Sequence, residues 1–204
     1  MGIDIPVIWF VIIVFATLMY IVMDGFDLGI GIVFSFVPNA NERDVMMNSV
    51  APVWDGNETW LVLGGAGLFG AFPLAYAVIT DALTIPLTAM LIGLIFRGVA
   101  FEFRFKATPS HQKFWDYSFV GGSLLATFSQ GIVVGAVISG FEVADRRFIG
   151  SALDWLTPFS LFCGLGLVVA YTLLGTTWLI MKSEGALQQR MRELKIGRAS
   201  CRER

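Results

Sequence analysis

The longest apolar run in the chain covers residues 6–36 and reads PVIWFVIIVFATLMYIVMDGFDLGIGIVFSF. A helix needs about 20 apolar residues to cross the hydrocarbon core of a bilayer, and this run exceeds that length. Its charged side chains are Asp24 and Asp27, both in its second half. The run lacks the preceding basic stretch and the small-residue cleavage site that are typical of a signal peptide. It therefore predicts a helix that stays in the membrane.

Further apolar segments long enough to span a bilayer cover residues 60–76 (with a start near Asp55 as the alternative), 78–101, 117–140 and 155–181. Of all residues 56% are hydrophobic and 15% are charged, whereas soluble domains carry about 25% charged residues. The sequence thus predicts an all-α, polytopic transmembrane helical bundle with five membrane-spanning helices. Because the second and third segments are almost contiguous, we expect them to form an antiparallel helical hairpin.

Basic residues lie mainly on one side of these spans. With five spans, the N-terminus shares its side with the loop at residues 141–154, whose basic residues are Arg146 and Arg147. The opposite side holds a larger set, which comprises Arg43, Arg97, Arg104, Lys106, Lys113 and the tail from Lys182 onward. Since Lys and Arg favour the cytoplasm, we expect a bacterial inner-membrane protein with a periplasmic N-terminus. The chain has no basic surface that indicates nucleic-acid binding.

Glycines recur at helical spacing within the apolar segments. Gly25 and Gly29 are four residues apart, as are Gly131 and Gly135. Small residues let helix backbones approach closely in lipid, where burial of apolar side chains provides little net drive for association. This pattern predicts tight packing of the helices.

The first apolar segment contains two acids close together. Asp24 and Asp27 are three residues apart and therefore lie on nearly the same helix face. A charged side chain at the bilayer centre costs at least about 2.5 kcal/mol, so such acids usually face a bundle interior or a water path. Two neighbouring buried carboxyls can hold or pass a proton near neutral pH. Spacing alone leaves two interpretations open, a proton path and a structural pairing with Arg97 or a helix end.

Two further groups of charged residues flank the second and third segments. Asp55 and Glu58 are three residues apart in WDGNETW, which is typical of a helix start with Asp55 as N-cap; a role in proton transfer is the alternative. Arg97 is a natural counter-ion for acids on neighbouring helices. Glu102 is either a point of proton uptake or a surface acid paired with Lys106, four residues on.

Histidine and cysteine are scarce in this chain. His111 lies in a polar stretch, where we expect it to be solvated, and Cys163 lies in an apolar run, where we expect a packing role. With Cys201 as the second cysteine, the spacing indicates neither a metal site nor a disulfide framework. A haem held by two histidines cannot be built from this chain alone.

Three stretches of sequence resemble subunit II of the cytochrome bd quinol oxidases. They are DGFDLG at residues 24–29, NSVAPVWDGNETWL at residues 48–61 and FRGVAFE at residues 96–102. Their order and spacing agree with that family, and the resemblance covers about residues 5–190. It implies a subunit with eight spans, related in fold to subunit I. The implied enzyme oxidises ubiquinol or menaquinol, reduces dioxygen to water and generates proton motive force.

The same resemblance implies where the chemistry takes place. Haem b558, haem b595, haem d and the quinol site belong to the partner, subunit I, while subunit II binds no cofactor or metal. Subunit II supports subunit I and contributes acids to a cytoplasmic proton path. The matching positions are Asp27, Asp55 and Glu102, then Asp24 and Glu58, with Arg97 as counter-ion. Further partners left open are a small accessory transmembrane subunit, membrane lipids and a structural quinone.

Two other functions stay open at this point. A proton- or cation-coupled secondary transporter would use membrane acids and glycine-interrupted helices, but it should also show an inverted repeat, and no clear repeat is present. A purely structural membrane subunit would share the fold of a proton-conducting one.

The final run of the chain, KIGRASCRER at residues 195–204, resembles a translated sequencing adapter. We therefore expect residues 1–194 to form a single transmembrane domain, the N-terminal part of subunit II. We expect residues 195–204 to be a non-native tail, and the native protein to continue beyond this region.

Overall fold

The fold is that of a computed structural model, which describes residues 4–196. This part of the chain forms eight α-helices: α1 (Ile5–Val33), α2 (Ala40–Val50), α3 (Trp54–Ala71), α4 (Pro73–Ala82), α5 (Thr84–Arg104), α6 (Pro109–Ser139), α7 (Pro158–Lys182) and α8 (Gly185–Ile196). A 3-10 turn at Phe34–Phe36 continues α1, and the short strands β1 (Val143–Ala144) and β2 (Arg147–Phe148) form a hairpin between α6 and α7. The predicted class, an all-α polytopic bundle, is confirmed.

Among the described residues, four helical segments are long and apolar enough to cross a membrane, against the five predicted. They are Ile5–Phe36, Thr84–Arg104, Pro109–Ser139 and Pro158–Lys182. The remaining predicted span, residues 60–76, corresponds to α3, which begins earlier and includes the polar sequence DGNE. Nevertheless, α3 runs antiparallel beside α1, because Gly64 packs near Thr17 and Gly67 packs near Ile13.

The predicted hairpin between the second and third spans is wrong. The ten-residue helix α4 separates α3 from α5, and the long neighbour of α5 is α6. Two prolines explain the breaks. Pro73 disfavours helical geometry at Phe72, whose φ and ψ are −134° and 62°, and Pro86 has no N–H to donate to the carbonyl of Ala82. The third span therefore begins at Thr84 instead of residue 78.

Paired glycines mark where the helices cross most closely, as the glycine spacing predicted. A Cβ at Gly93 of α5 would lie 2.7 Å from the carbonyl oxygen of Gly122 on α6. A Cβ at Gly29 of α1 would overlap the backbone of α7 beside Gly175. These positions let backbones touch, which is how helices gain packing energy in lipid.

The buried apolar side chains form three groups along the length of the bundle. The largest group includes Phe34, Met46 and Phe101, and it joins the ends of α1 and α5 to α2 and α8. By contrast, the first half of α1 exposes many large apolar side chains, such as Phe10 (60% exposed) and Phe15 (54%). An apolar outer surface is what a helix facing lipid requires. Residues 197–204, most of the tail expected to be non-native, lie outside the described part.

Candidate functional site

The centre of the site is a fully buried arginine on α5. The side chain of Arg97 has no exposed surface, and its guanidinium reaches carboxylates on two other helices. Its Nη1 lies 2.6 Å from Oε1 of Glu58 on α3 and 3.3 Å from Oδ1 of Asp24 on α1. Its Nη2 lies 3.5 Å from Oδ2 of Asp27, also on α1. We refer to Asp24, Asp27, Glu58 and Arg97 as the ion cluster.

The second half of α1 holds both aspartates in the bundle interior. Every residue from Asp24 to Val33 is buried, because α7 and α6 pack directly on the glycines of this stretch. The Tyr171 ring lies against Gly25, and the Ser123 side chain lies against Gly31. Close helix contact therefore removes both carboxylates from lipid and from bulk solvent.

Asn57 on α3 joins the cluster from the side of Asp27. Its Nδ2 donates to Oδ2 of Asp27 at 2.6 Å and to the carbonyl oxygen of Met23 at 3.2 Å. The residue is 3% exposed. Asn57 thus orients the Asp27 carboxylate and fixes the first turns of α3 to α1.

The cluster places three carboxyls around one guanidinium. If all three were ionised, two negative charges would lack a counter-charge in a buried site, which is costly. Binding protons relieves that cost, so the arrangement is suited to holding and exchanging protons. Glu58 is the member with exposed surface, since 26% of its side chain is exposed while Asp24, Asp27 and Arg97 have none. Exchange with the outside would therefore begin at Glu58.

The other two acids suggested by the sequence lie outside the cluster. Asp55 is exposed, and the suggestion that it caps α3 is wrong, because the helix begins at Trp54 and its N-cap is Val53. Glu102 is 65% exposed and its Oε2 lies 3.4 Å from Nζ of Lys106, which is the surface pairing that the sequence left open. Neither acid contacts Arg97.

Several polar residues near the cluster were not identified from the sequence. They are Asn57, Tyr20, Ser123, Thr127, Gln130 and Tyr171, all 6% exposed or less. Asn57 is next to Glu58 in WDGNETW, so its sequence position could have marked it as a site residue. The others are single polar residues in apolar helices, where helical spacing from Asp24 could have identified only Tyr20, four residues earlier.

A second group of charges fixes α2 to the ends of α5 and α6. Nε of Arg104 lies 2.5 Å from Oδ1 of Asp116, and its Nη1 lies 2.5 Å from Oδ1 of Asp44. Nη1 of Arg43 lies 2.8 Å from Oδ2 of Asp116. Both guanidinium groups also lie over the ring of Phe34, at 5.0 and 5.4 Å from its centroid. This network, called the Arg104 clasp below, connects three helices at the end of the bundle that the sequence predicts to be cytoplasmic.

Side chains that commonly bind metals or haem are scarce among the described residues. This part of the chain contains no group of three or more His, Cys, Asp or Glu side chains arranged to bind a metal. His111 is exposed at the start of α6, and its Nδ1 lies 2.9 Å from the hydroxyl of Thr108.

The fold and the ion cluster define a multi-pass α-helical membrane protein with ionisable groups in its interior. A family model described as cytochrome bd terminal oxidase subunit II matches residues 5–200. The chain belongs to this family. The matched range runs into the segment 195–204, whose non-native origin stays a prediction.

Three curated proteins illustrate the similarity. The chain is 32% identical over 192 residues to the probable cytochrome oxidase subunit 2 of Haemophilus influenzae, covering 91% of this chain and 51% of that protein. It is 32% identical over 190 residues to the cytochrome bd ubiquinol oxidase subunit 2 of Bacillus subtilis, covering 92% and 56%. It is also 32% identical over 192 residues to the cytochrome bd-I ubiquinol oxidase subunit 2 of Escherichia coli, covering 91% and 51%. The chain thus spans about half the length of these relatives.

Proposed function

We propose that this chain is the N-terminal part of subunit II of a cytochrome bd-type oxidase in a bacterial inner membrane. The complex would oxidise quinol, reduce dioxygen to water and so generate proton motive force. The main support for this proposal is the buried ion cluster, together with the membership of the chain in this family. The cluster would belong to a path that delivers protons to the site of dioxygen reduction.

The proposed path begins at the first turns of α3. Asp55 is exposed, and Glu58 follows one helical turn later with part of its side chain exposed. Glu58 and Asp27 both contact the Arg97 guanidinium, through its Nη1 and Nη2. A proton could therefore pass from Asp55 to Glu58 and on to Asp27 and Asp24. Glu102 is exposed and contacts no member of the ion cluster. Its role in the path would therefore be to collect protons at the surface.

Arg97 would set the charge of the path. Its guanidinium is permanently cationic, so it balances one carboxylate while the remaining carboxyls exchange protons. Because removal of protons from the cytoplasm and their release on the outer side separate charge, the path would contribute to proton motive force without a pump. The N-terminus would then face the periplasm, as the distribution of Lys and Arg predicts.

The remaining parts of the enzyme would come from partners. We assign haem b558, haem b595, haem d and the quinol site to subunit I, in agreement with the family resemblance and with the single histidine of this chain. The exposed apolar surface of α1 suits contact with subunit I, a small accessory transmembrane subunit, lipids or a structural quinone. Asp24, Asp27 and Arg97 already lie inside the described helices, so Glu58 is the member of the ion cluster that a partner could reach.

The test is the substitution Asp27→Asn in the complete complex. Asparagine preserves size and hydrogen bonding but cannot carry a proton, so quinol-dependent oxygen uptake should fall by on the order of 10²-fold. The reduced-minus-oxidised haem spectrum should stay unchanged, which would show that the subunits still assemble. The matched control is Asp145→Asn, on the exposed β1–β2 turn, where we expect normal uptake.

Normal turnover in the assembled Asp27→Asn complex would remove Asp27 from the path and favour a purely structural subunit. A folded preparation that co-purifies with neither haem nor partner would contradict the oxidase proposal. That result would favour a proton- or cation-coupled transporter.

A further inference from the structure

A strip of polar side chains on α6 faces α1. Ser123, Thr127 and Gln130 follow one another at helical spacing, and all three are buried, with 0%, 0% and 6% of their surface exposed. Gln130 donates a hydrogen bond from Nε2 to the hydroxyl of Tyr20 on α1. The hydroxyls of Ser123 and Thr127, however, have no hydrogen-bond partner among the described residues.

This lack of partners is unusual for the chain itself. Buried Ser and Thr in helices commonly donate to the carbonyl three or four residues earlier. Among the buried residues of this chain, Thr176 donates to the carbonyl of Leu173 at 2.9 Å, and Ser183 donates to that of Leu179. Thr127 makes no such bond, so its hydroxyl is free to serve a partner across the α1–α6 interface.

The strip lies beside the ion cluster. Because Ser123 contacts Gly31 and Gln130 contacts Tyr20, α1 and α6 are antiparallel here. Thr127 therefore lies between these contacts, at the level of Asp24 and Asp27. From α7, Tyr171 packs on Gly25, and its hydroxyl also lacks a hydrogen-bond partner in the described structure.

The ion cluster offers matching groups on its side of the same space. Oδ1 of Asp27 and Nε of Arg97 are buried without a hydrogen-bond partner among the described residues. Asp24 is ion-paired with Arg97 at 3.3 Å, but its carboxylate oxygens make no hydrogen bond of regular geometry within the described structure. Buried polar atoms are nearly always paired with protein or with ordered water. Buried water typically bridges two to four such atoms. These donors and acceptors belong to four helices, α1, α5, α6 and α7, which pack around residues 24–31 of α1. Buried polar groups of this kind are the environment that holds water.

We infer that Ser123, Thr127 and Tyr171 line a water-holding chamber against Asp24 and Arg97, and that the Tyr20–Gln130 hydrogen bond closes its far end. Beyond Tyr20 lies an apolar groove of about 370 Å³, lined by residues such as Ile13, Trp60 and Leu68. The lining of that groove is mainly apolar, so water would find few polar partners there. The chamber is therefore open to the ion cluster and closed toward the N-terminal half of α1.

The chamber gives the buried carboxyls a store of water through which protons can move. This consequence rests on the proposed proton path, whereas the presence of water does not. Thr127 and Tyr171 act as positioning residues, because they hold the water that would contact Asp24.

The test is infrared spectroscopy of the full chain in lipid nanodiscs, in which H₂¹⁶O is replaced by H₂¹⁸O. Ordered internal water should produce O–H stretching bands that shift with the isotope. Thr127→Val should remove or displace at least one of these bands, and Tyr171→Phe should change the same region. The control Thr172→Val, which loses a hydroxyl already bonded to its own helix, should leave the bands unchanged.

Two outcomes would overturn the inference. One is a spectrum without isotope-sensitive bands from ordered water, and the other is bands that Thr127→Val and Thr172→Val affect equally. The proposed function fails separately, through normal oxygen uptake in Asp27→Asn. If the water bands respond as expected while Asp27→Asn turns over normally, the chamber stands and the proton path does not.

Discussion

Replacement of Arg97 with methionine is expected to destabilise the protein strongly. The guanidinium is fully buried and contacts three carboxylates at 2.6, 3.3 and 3.5 Å. Removal of one partner from a buried ion pair typically costs about 3–5 kcal/mol, because the remaining charge is left without compensation. Methionine retains the aliphatic volume and has good helix propensity, so the loss reflects the charge. The free energy of unfolding should fall by about 3–5 kcal/mol.

The matched control is Lys106→Met. The Lys106–Glu102 pair has nearly the same separation as Arg97–Asp24, 3.4 Å against 3.3 Å, but its side chains are 77% and 65% exposed. An exposed pair contributes less than about 1 kcal/mol. Burial, and not distance, should therefore decide the difference between the two substitutions. Reversible unfolding in mixed micelles, followed by helix content, measures both.

A rescue experiment separates charge from packing. In a background carrying Asp24→Asn and Asp27→Asn, Arg97→Met leaves fewer acids without a counter-charge. Its cost should therefore fall by about 0.5–3 kcal/mol relative to the cost in the unmodified chain. The reasoning is refuted if Arg97→Met costs no more than the Lys106 control, or if neutralising the aspartates leaves its cost unchanged.

Two further predictions concern packing and the Arg104 clasp. Gly29→Ala places a Cβ into the backbone of α7 and should lower the free energy of unfolding by about 1–3 kcal/mol. Gly65→Ala, where the added Cβ has open space, should be neutral or stabilising. Thermal unfolding in detergent compares the two variants, and equal effects would contradict the close crossing. Asp116→Asn removes the charge shared by Arg104 and Arg43, so hydrogen exchange of α2 amides should rise about tenfold, equivalent to about 1.4 kcal/mol. Unchanged exchange would show that the clasp does not hold α2.

Much of the fold could be predicted because hydropathy is a local property of the chain. The apolar segments correspond to helices in the structure, and the glycine spacing correctly indicated close crossings such as Gly131 with Gly164. The helix break within the second predicted span, between α3 and α4, also has a local cause, because the residue before a proline, here Phe72, disfavours helical geometry. The sequence predicted that the third span pairs with the second, but α5 pairs with α6 instead of α3. This pairing depends on packing between distant segments.

The candidate site was predictable only as a set of charged residues in apolar helices. Asp55 and Asn57 both belong to WDGNETW, but two residues correspond to about 200° of rotation around a helix. The structure accordingly buries Asn57 against Asp27 and leaves Asp55 exposed. Likewise Glu102 lies five residues after Arg97, about 140° around α5, and faces outward. Sequence spacing cannot indicate which face of a helix meets its neighbours.

The sequence by itself determined that this protein spans a membrane and that its spans contain acids, which must be shielded from lipid. That follows from the cost of charge in hydrocarbon, which each segment incurs on its own. The sequence suggested Arg97 as counter-ion for five acids. Only the tertiary structure decided that Arg97 contacts Asp24, Asp27 and Glu58, since those contacts join three helices. Their rotation and crossing, set where glycines let backbones touch, determine which charges meet and which remain at the surface.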